Sequence, residues 1–289
     1  MNYRKPSGLL ALLLFFIYLI APLQTAASVE HFDVYSESMD RTLPIAVVLP
    51  VSYHENELSH PVIYLLHGAT DNYQGWLIHA TEENLVQQLA DQYGVIFVLP
   101  SGDNFSFYFD GPENPKSQFE THITREVIPF VDANFRTIAD KRGRAITGLS
   151  MGGHGALYLA TRNPELFAAA GSMSGSVDLD ISRWGLEEVS VDLLRQLLEA
   201  MDNDSITADF LSAHSVTNLV NDMKENNMPL IIDCGVDDFL LDANRLLNSL
   251  LQEAGVPHDY IERPGEHNWA YWTNALLYQV LFITEVFER

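Results

Sequence analysis

Cysteine is nearly absent: Cys234 is the only one in 289 residues, so no disulfide can form within the chain. It ends the apolar run Leu230-Ile231-Ile232-Asp233-Cys234, where a buried structural thiol is expected. Basic residues are scarce too, with 16 Lys and Arg against 39 Asp and Glu and a net charge of −23. That balance argues against nucleic acid or anionic membrane as a partner. The acidic residues are spread without a long run, so solvated faces account for them. Internal repeats, low-complexity segments and interdomain linkers are missing. The length suits one large α/β domain, and 47% apolar residues can bury a sizeable core.

Long hydrophobic runs are lacking, apart from one at the start. Arg4 and Lys5 precede thirteen apolar residues, Leu9 to Ala21, followed by Pro22 and the small-residue stretch Thr25-Ala26-Ala27-Ser28. This is the pattern of a secretory signal peptide over residues 1–28, ahead of a domain over 29–289. A membrane span needs about 20 apolar residues. The run is therefore short for a retained anchor, and an exported protein, periplasmic or extracellular and without stable membrane association after cleavage, is the expectation.

Beyond it, strand and helix signals alternate. His31–Ser36 and Leu43–Leu49 read as an antiparallel lead-in, and Pro61–Leu66 and Val95–Leu99 as strands buried on both faces. A helix is expected over Thr81–Gln92 with Thr81 as its N-cap, and another over Phe119–Phe135, kinked near Pro129. The loop 101–118 between strand and helix is long enough to be functional, and contains Phe105, Phe107, Tyr108 and Phe109. The rhythm breaks at 178–227, an acidic helical insertion with helices expected near Leu186–Met201, Thr207–Ala213 and Thr217–Lys224. It reads equally as a cap over the strand ends or as decoration. Strand, helix, strand and helix then follow, the last helix beginning near Trp272. Such alternation implies a mostly parallel sheet with helices on both faces.

Gly148-Leu149-Ser150-Met151-Gly152 matches G-x-S-x-G between a short apolar run and a helix, the context a nucleophile elbow requires. A serine hydroxyl is a weak nucleophile until a base takes its proton, and that base needs a carboxylate to orient it. In the α/β-hydrolase order, serine, acid, histidine, the acid follows a late strand and the histidine follows the last. His267, in the loop after the last strand, fits the base, and Asp237 or Asp238 fits the acid. Adjacent side chains in a turn diverge, so chemistry alone leaves that pair open. His154, four residues after Ser150, is expected to pack against neighbouring strands instead. The oxyanion needs fixed N–H donors. Met151 supplies one, and the loop His67-Gly68-Ala69 the other, from Ala69.

Five segments in order resemble the esterase D-like group of α/β-hydrolases: Tyr64–Gly68 with Trp76, Phe119–Pro129, Gly148–Gly155, Cys234–Phe239 and Gly265–Trp269. That group includes S-formylglutathione hydrolases, tributyrin esterases, feruloyl and acetyl-xylan esterase domains and the antigen 85 mycolyltransferases. The resemblance covers about residues 30 to 287. It implies an α/β-hydrolase fold, Asp238 as the acid, and the N–H groups of Ala69 and Met151 as the oxyanion hole. The expected activity is that of an exported serine carboxylesterase on short-chain or carbohydrate-linked esters, small-molecule or carbohydrate. An acyltransferase on the same triad, a glutathione-thioester hydrolase and a non-enzymatic binding protein are the rivals. No cofactor or metal is implied, because nucleophile and base suffice. Phe105, Tyr108 and Trp269 are the candidate substrate contacts, with loop anchoring as the alternative role of the aromatics.

Overall fold

A computed structural model describes residues 28–180, 183–184 and 206–289. The expected signal peptide and the expected helix over Leu186–Met201 lie outside them. Eight strands form one sheet in the order β1-β2-β4-β3-β5-β6-β7-β8. β1 (Ser28–Ser36) and β2 (Arg41–Leu49) are the antiparallel lead-in. β3 (Val62–Leu66), β4 (Ile96–Pro100), β5 (Arg144–Gly148), β6 (Ala169–Met173), β7 (Leu230–Gly235) and β8 (Asp259–Arg263) run parallel.

β3 and β4 read as unbroken apolar runs because both their faces are covered, whereas β8 at the sheet edge is polar and only partly buried. Successive side chains alternate between two cores. Val62, Tyr64 and Leu66 join one core, and Ile63 and Leu65 join the other. Helices α1 (Leu85–Tyr93) and α7 (Trp269–Phe287) cover the second face. The first is covered by α2 (119–134), α3 (Met151–Arg162), α4 (Ala208–His214), α5 (Val220–Asn226) and α6 (Leu241–Ala254).

Three helix expectations are corrected. Thr81 is not a cap: α1 starts at Leu85 after Asn84, whose left-handed φ of 57° holds Glu82 and Glu83 in a turn. α2 widens into a π-turn over His122–Val127 ahead of Pro129, where the sequence suggests a kink. Proline brings no N–H to the ladder, and the π-turn shifts the hydrogen-bond register just before it. α7 begins at Trp269, because Asn268 accepts the Tyr271 N–H as N-cap (3.1 Å).

The sheet reverses its winding at β3. From β3 the chain steps to β4 on one side, then returns to place β5 on the other, pairing Leu66 with Gly148. A crevice at the carboxyl ends of strands is expected at such a switch point.

Candidate active site

Ser150 sits where β5 turns into α3, with φ 53° and ψ −118°, a conformation that L-residues rarely adopt. Glycine makes this turn possible. A Cβ on Gly152 would lie 2.6 Å from the His67 carbonyl oxygen, and one on Gly148 2.6 Å from Gly152. The strained turn leaves the Ser150 hydroxyl at the floor of a cavity of about 500 Å³.

His267 arrives from the loop between β8 and α7. The Ser150 hydroxyl lies 3.0 Å from its Nε2, and Nδ1–H donates to Asp238 Oδ1 and Oδ2 at 3.0 and 2.9 Å. The Asp238 side chain is fully buried and accepts the Leu240 N–H at 2.9 Å, which fixes the carboxylate. Asp237 is exposed, and its backbone N–H donates to the Gly265 carbonyl. The structure therefore brings Ser150, His267 and Asp238 together and leaves Asp237 outside. A hydroxyl, a base in the correct tautomer and an orienting carboxylate are the parts that nucleophilic acyl transfer needs.

Ala69 and Met151 both line the same cavity. Met151 opens α3, so its N–H is among the first-turn groups without an intrahelical acceptor. Ala69 is oriented by a residue that sequence reading left unassigned. Buried His67 accepts the Gly102 N–H at Nε2 (2.8 Å). The proton must then sit on Nδ1, which donates to the Gly68 carbonyl at 2.7 Å. That carbonyl and the Ala69 N–H share one planar trans peptide and point oppositely. Holding the carbonyl thus aims the N–H. Burial lowers the His67 pKa and keeps the ring neutral, as this pairing requires.

The cavity walls are aromatic: Phe105, Phe107, Trp184, Phe239, Trp269 and Trp272. Phe239 and Trp272 pack against the His267 ring, at centroid distances of 4.4 and 4.8 Å. Thr70, Asp71 and His79 supply a polar side. Phe105 and Trp269 thus stand where a substrate contact should.

Tyr108 does not. It is fully buried, its hydroxyl donates to the His67 carbonyl, and its ring fills the space beside Gly102 and Gly155. It anchors the loop because glycine on both sides leaves a slot of ring thickness. His154 contacts loop and insertion instead of strands: Nδ1 lies 3.0 Å from the Phe107 carbonyl and Nε2 2.9 Å from that of His214. Trp184, Phe239, Asp71 and His79 were not nominated from sequence. Trp184 lies in the insertion, Phe239 ends the Cys234–Phe239 segment without being marked as a contact, and Asp71 and His79 carry no spacing signal. Among the described residues, no group of three or more His, Cys, Asp or Glu could hold a metal ion.

Known proteins share this arrangement of elements. The sequence profile of the Esterase family matches residues 36–283. An acetyl esterase from Caldicellulosiruptor saccharolyticus is 27% identical over 262 residues, 86% of this chain and 95% of that protein. The diacylglycerol acyltransferase/mycolyltransferase Ag85B of Mycobacterium leprae is 35% identical over 159 residues, 52% of this chain and 45% of that one. A solved ferulic acid esterase superposes with a TM-score of 0.73 at 28% identity, covering 90% of this chain and 98% of its own. The chain belongs to the Esterase family and is a carboxylic ester hydrolase of the α/β-hydrolase fold.

Proposed function

We propose that this protein is an exported serine carboxylesterase that hydrolyses short-chain or carbohydrate-linked esters through an acyl-enzyme. The hydrogen-bonded line Ser150–His267–Asp238 at the floor of an aromatic cavity carries this reading. Ser150 Oγ attacks the ester carbonyl carbon while His267 Nε2 takes its proton. The resulting oxyanion is held by the Ala69 and Met151 N–H groups. When the intermediate collapses, the carbonyl re-forms and the ester C–O bond breaks. His267 returns the proton to the departing alcohol oxygen, and the alcohol leaves. Water then enters and loses a proton to His267 as its oxygen attacks the acyl carbon. The second intermediate collapses, the bond from Ser150 Oγ to the acyl carbon breaks, and His267 returns the proton to Oγ, which releases the acid and free Ser150.

Export is supported by the charged and apolar pattern of the first residues; among the described residues, no helix is long and apolar enough to cross a membrane. A cavity of about 500 Å³ walled by aromatic rings suits a small acyl group beside a sugar or aryl alcohol better than an extended fatty chain. Each buried methylene gains only about 0.8 kcal/mol, and only where a buried surface receives it. A fluorophosphonate should label wild-type protein and leave Ser150→Ala unlabelled. On nitrophenyl esters from acetate to palmitate, rates should peak at about two to four carbons. A peak at eight carbons or longer would refute the short-chain reading, and a preference for methyl ferulate would make the aromatic walls an acyl pocket. The likeness to Ag85B supports a second reading, acyl transfer to a sugar hydroxyl in place of water. Under that reading, added sugar would divert product from free acid to a new ester.

A further inference from the structure

Two loops must keep register for Asp238 to meet His267: the one after β7 and the one after β8. The histidine loop, Pro264-Gly265-Glu266-His267-Asn268, contains a glycine at φ +151° and so has little stiffness of its own. Beneath it lies Asp233, on β7, with no exposed surface. One of its carboxylate oxygens accepts the Tyr271 hydroxyl proton, and the other accepts from the Arg263 guanidinium at 2.6 Å. Arg263 stands four residues before His267 and Tyr271 four residues after. The Tyr271 ring also lies against Gly265, where a Cβ would meet it at 2.3 Å. Arg263 packs over the rings of Tyr271 and Tyr278, at 5.1 and 4.4 Å, and donates to Asn274.

We propose that Asp233 is a positioning residue whose carboxylate pins both feet of the loop carrying His267, holding the imidazole in register with Asp238 and Ser150. This rests on the reading of His267 as the general base. Burying a charge is seldom the most stable solution, since an apolar group of like volume often does as well or better. Burial alone pushes the Asp233 pKa up, and Tyr271 and Arg263 oppose that shift by hydrogen bonding to the charged form. Here the costly group is bonded at the two ends of the loop that carries His267, to a residue on either side of it. It is not a catalytic residue, because it touches neither Ser150 nor the cavity lining.

Tyr271→Phe removes a single O–H, whereas Asp233→Asn keeps the shape but turns an amide toward the guanidinium. Nitrophenyl acetate turnover, fluorophosphonate labelling rate and hydrogen–deuterium exchange should be read on the same samples. Tyr271→Phe should lower kcat roughly tenfold with KM within about twofold, because small misplacements of a reacting group act on the chemical step. Labelling should slow in parallel. Exchange in residues 264–268 should quicken while 148–155 stays unchanged. Unchanged kcat, or unchanged exchange in 264–268, would overturn the proposal. Should Asp233→Asn fail to fold, Tyr271→Phe carries the test. If wild-type protein neither labels nor turns over, the esterase reading fails, and the exchange arm still decides whether the clamp exists.

Discussion

At the scale of single residues, the paired aspartates separate two kinds of information. Asp237→Asn should leave kcat within about threefold of wild type, since its side chain is outside the hydrogen-bonded line. Asp238→Asn should cost on the order of 10⁴ in kcat by favouring the wrong imidazole tautomer. Steady-state kinetics on one short ester would check both, and a more damaging Asp237 variant would reverse the assignment. Ser150 and His267 were legible because an elbow serine and a histidine after the last strand are marked by motif and position. The acid could not be singled out by chemistry alone, because a turn sends neighbouring side chains apart and only three-dimensional geometry shows which faces inward. Tyr108 misled for a related reason. An aromatic in a long loop looks the same whether it faces a cavity or a glycine slot, and the glycines forming that slot are Gly102 and Gly155, the latter 47 positions away.

At the scale of elements, α3 and the loop before α2 are one packed unit. Glycine within a helix is ordinarily a liability, and replacement by alanine gains about 0.5–1 kcal/mol. At Gly155 the sign should invert. A Cβ there would meet the Tyr108 ring at 2.4 Å, and overpacking of a tight core costs about 1–3 kcal/mol. Gly155→Ala should lower the thermal midpoint and, by disturbing Phe105 and Phe107 on the cavity wall, also reduce turnover. A raised midpoint with unchanged activity would show that the slot has slack. The central strands β3 and β4 were readable because double burial makes each a continuous apolar run bounded by turn residues. The π-turn in α2 and the late start of α1 were not, because both depend on local backbone geometry that leaves the apolar pattern unchanged. The insertion was recognisable as a break in rhythm. Its contribution to the site, Trp184, carries no sequence mark.

For the molecule as a whole, several neutral histidines are held in the interior. Burial lowers the pKa values of His67, His122, His154 and His214, that of His154 to about 4. An unfolded histidine titrates near 6.5. Above that pH neither state carries the extra protons, so the groups cost nothing. As pH falls below 6.5 the unfolded chain binds protons that the folded one refuses, and stability declines until the folded pKa is reached. A fully buried histidine such as His154 contributes a slope of up to about 1.4 kcal/mol per pH unit. Carboxylates, which would relieve the net charge of −23, protonate mainly below about pH 5. The denaturant midpoint should therefore drop between pH 6.5 and 5, and a midpoint that rises over that window would contradict this account.

The place of β8 bears on how the molecule becomes active as it forms. Among the described residues, β8 closes one edge of the sheet with β7 as its only strand partner. The hydrogen bond between Ser150 and His267 spans 117 positions of chain. Serine, acid and histidine hang from the ends of three different strands, β5, β7 and β8, so all three must be docked before the hydrogen-bonded line closes. A chain in which β8 is not paired with β7 would carry an elbow serine with no base to activate it. Reactivity toward an ester thus doubles as a report that the β8 edge of the sheet is in place.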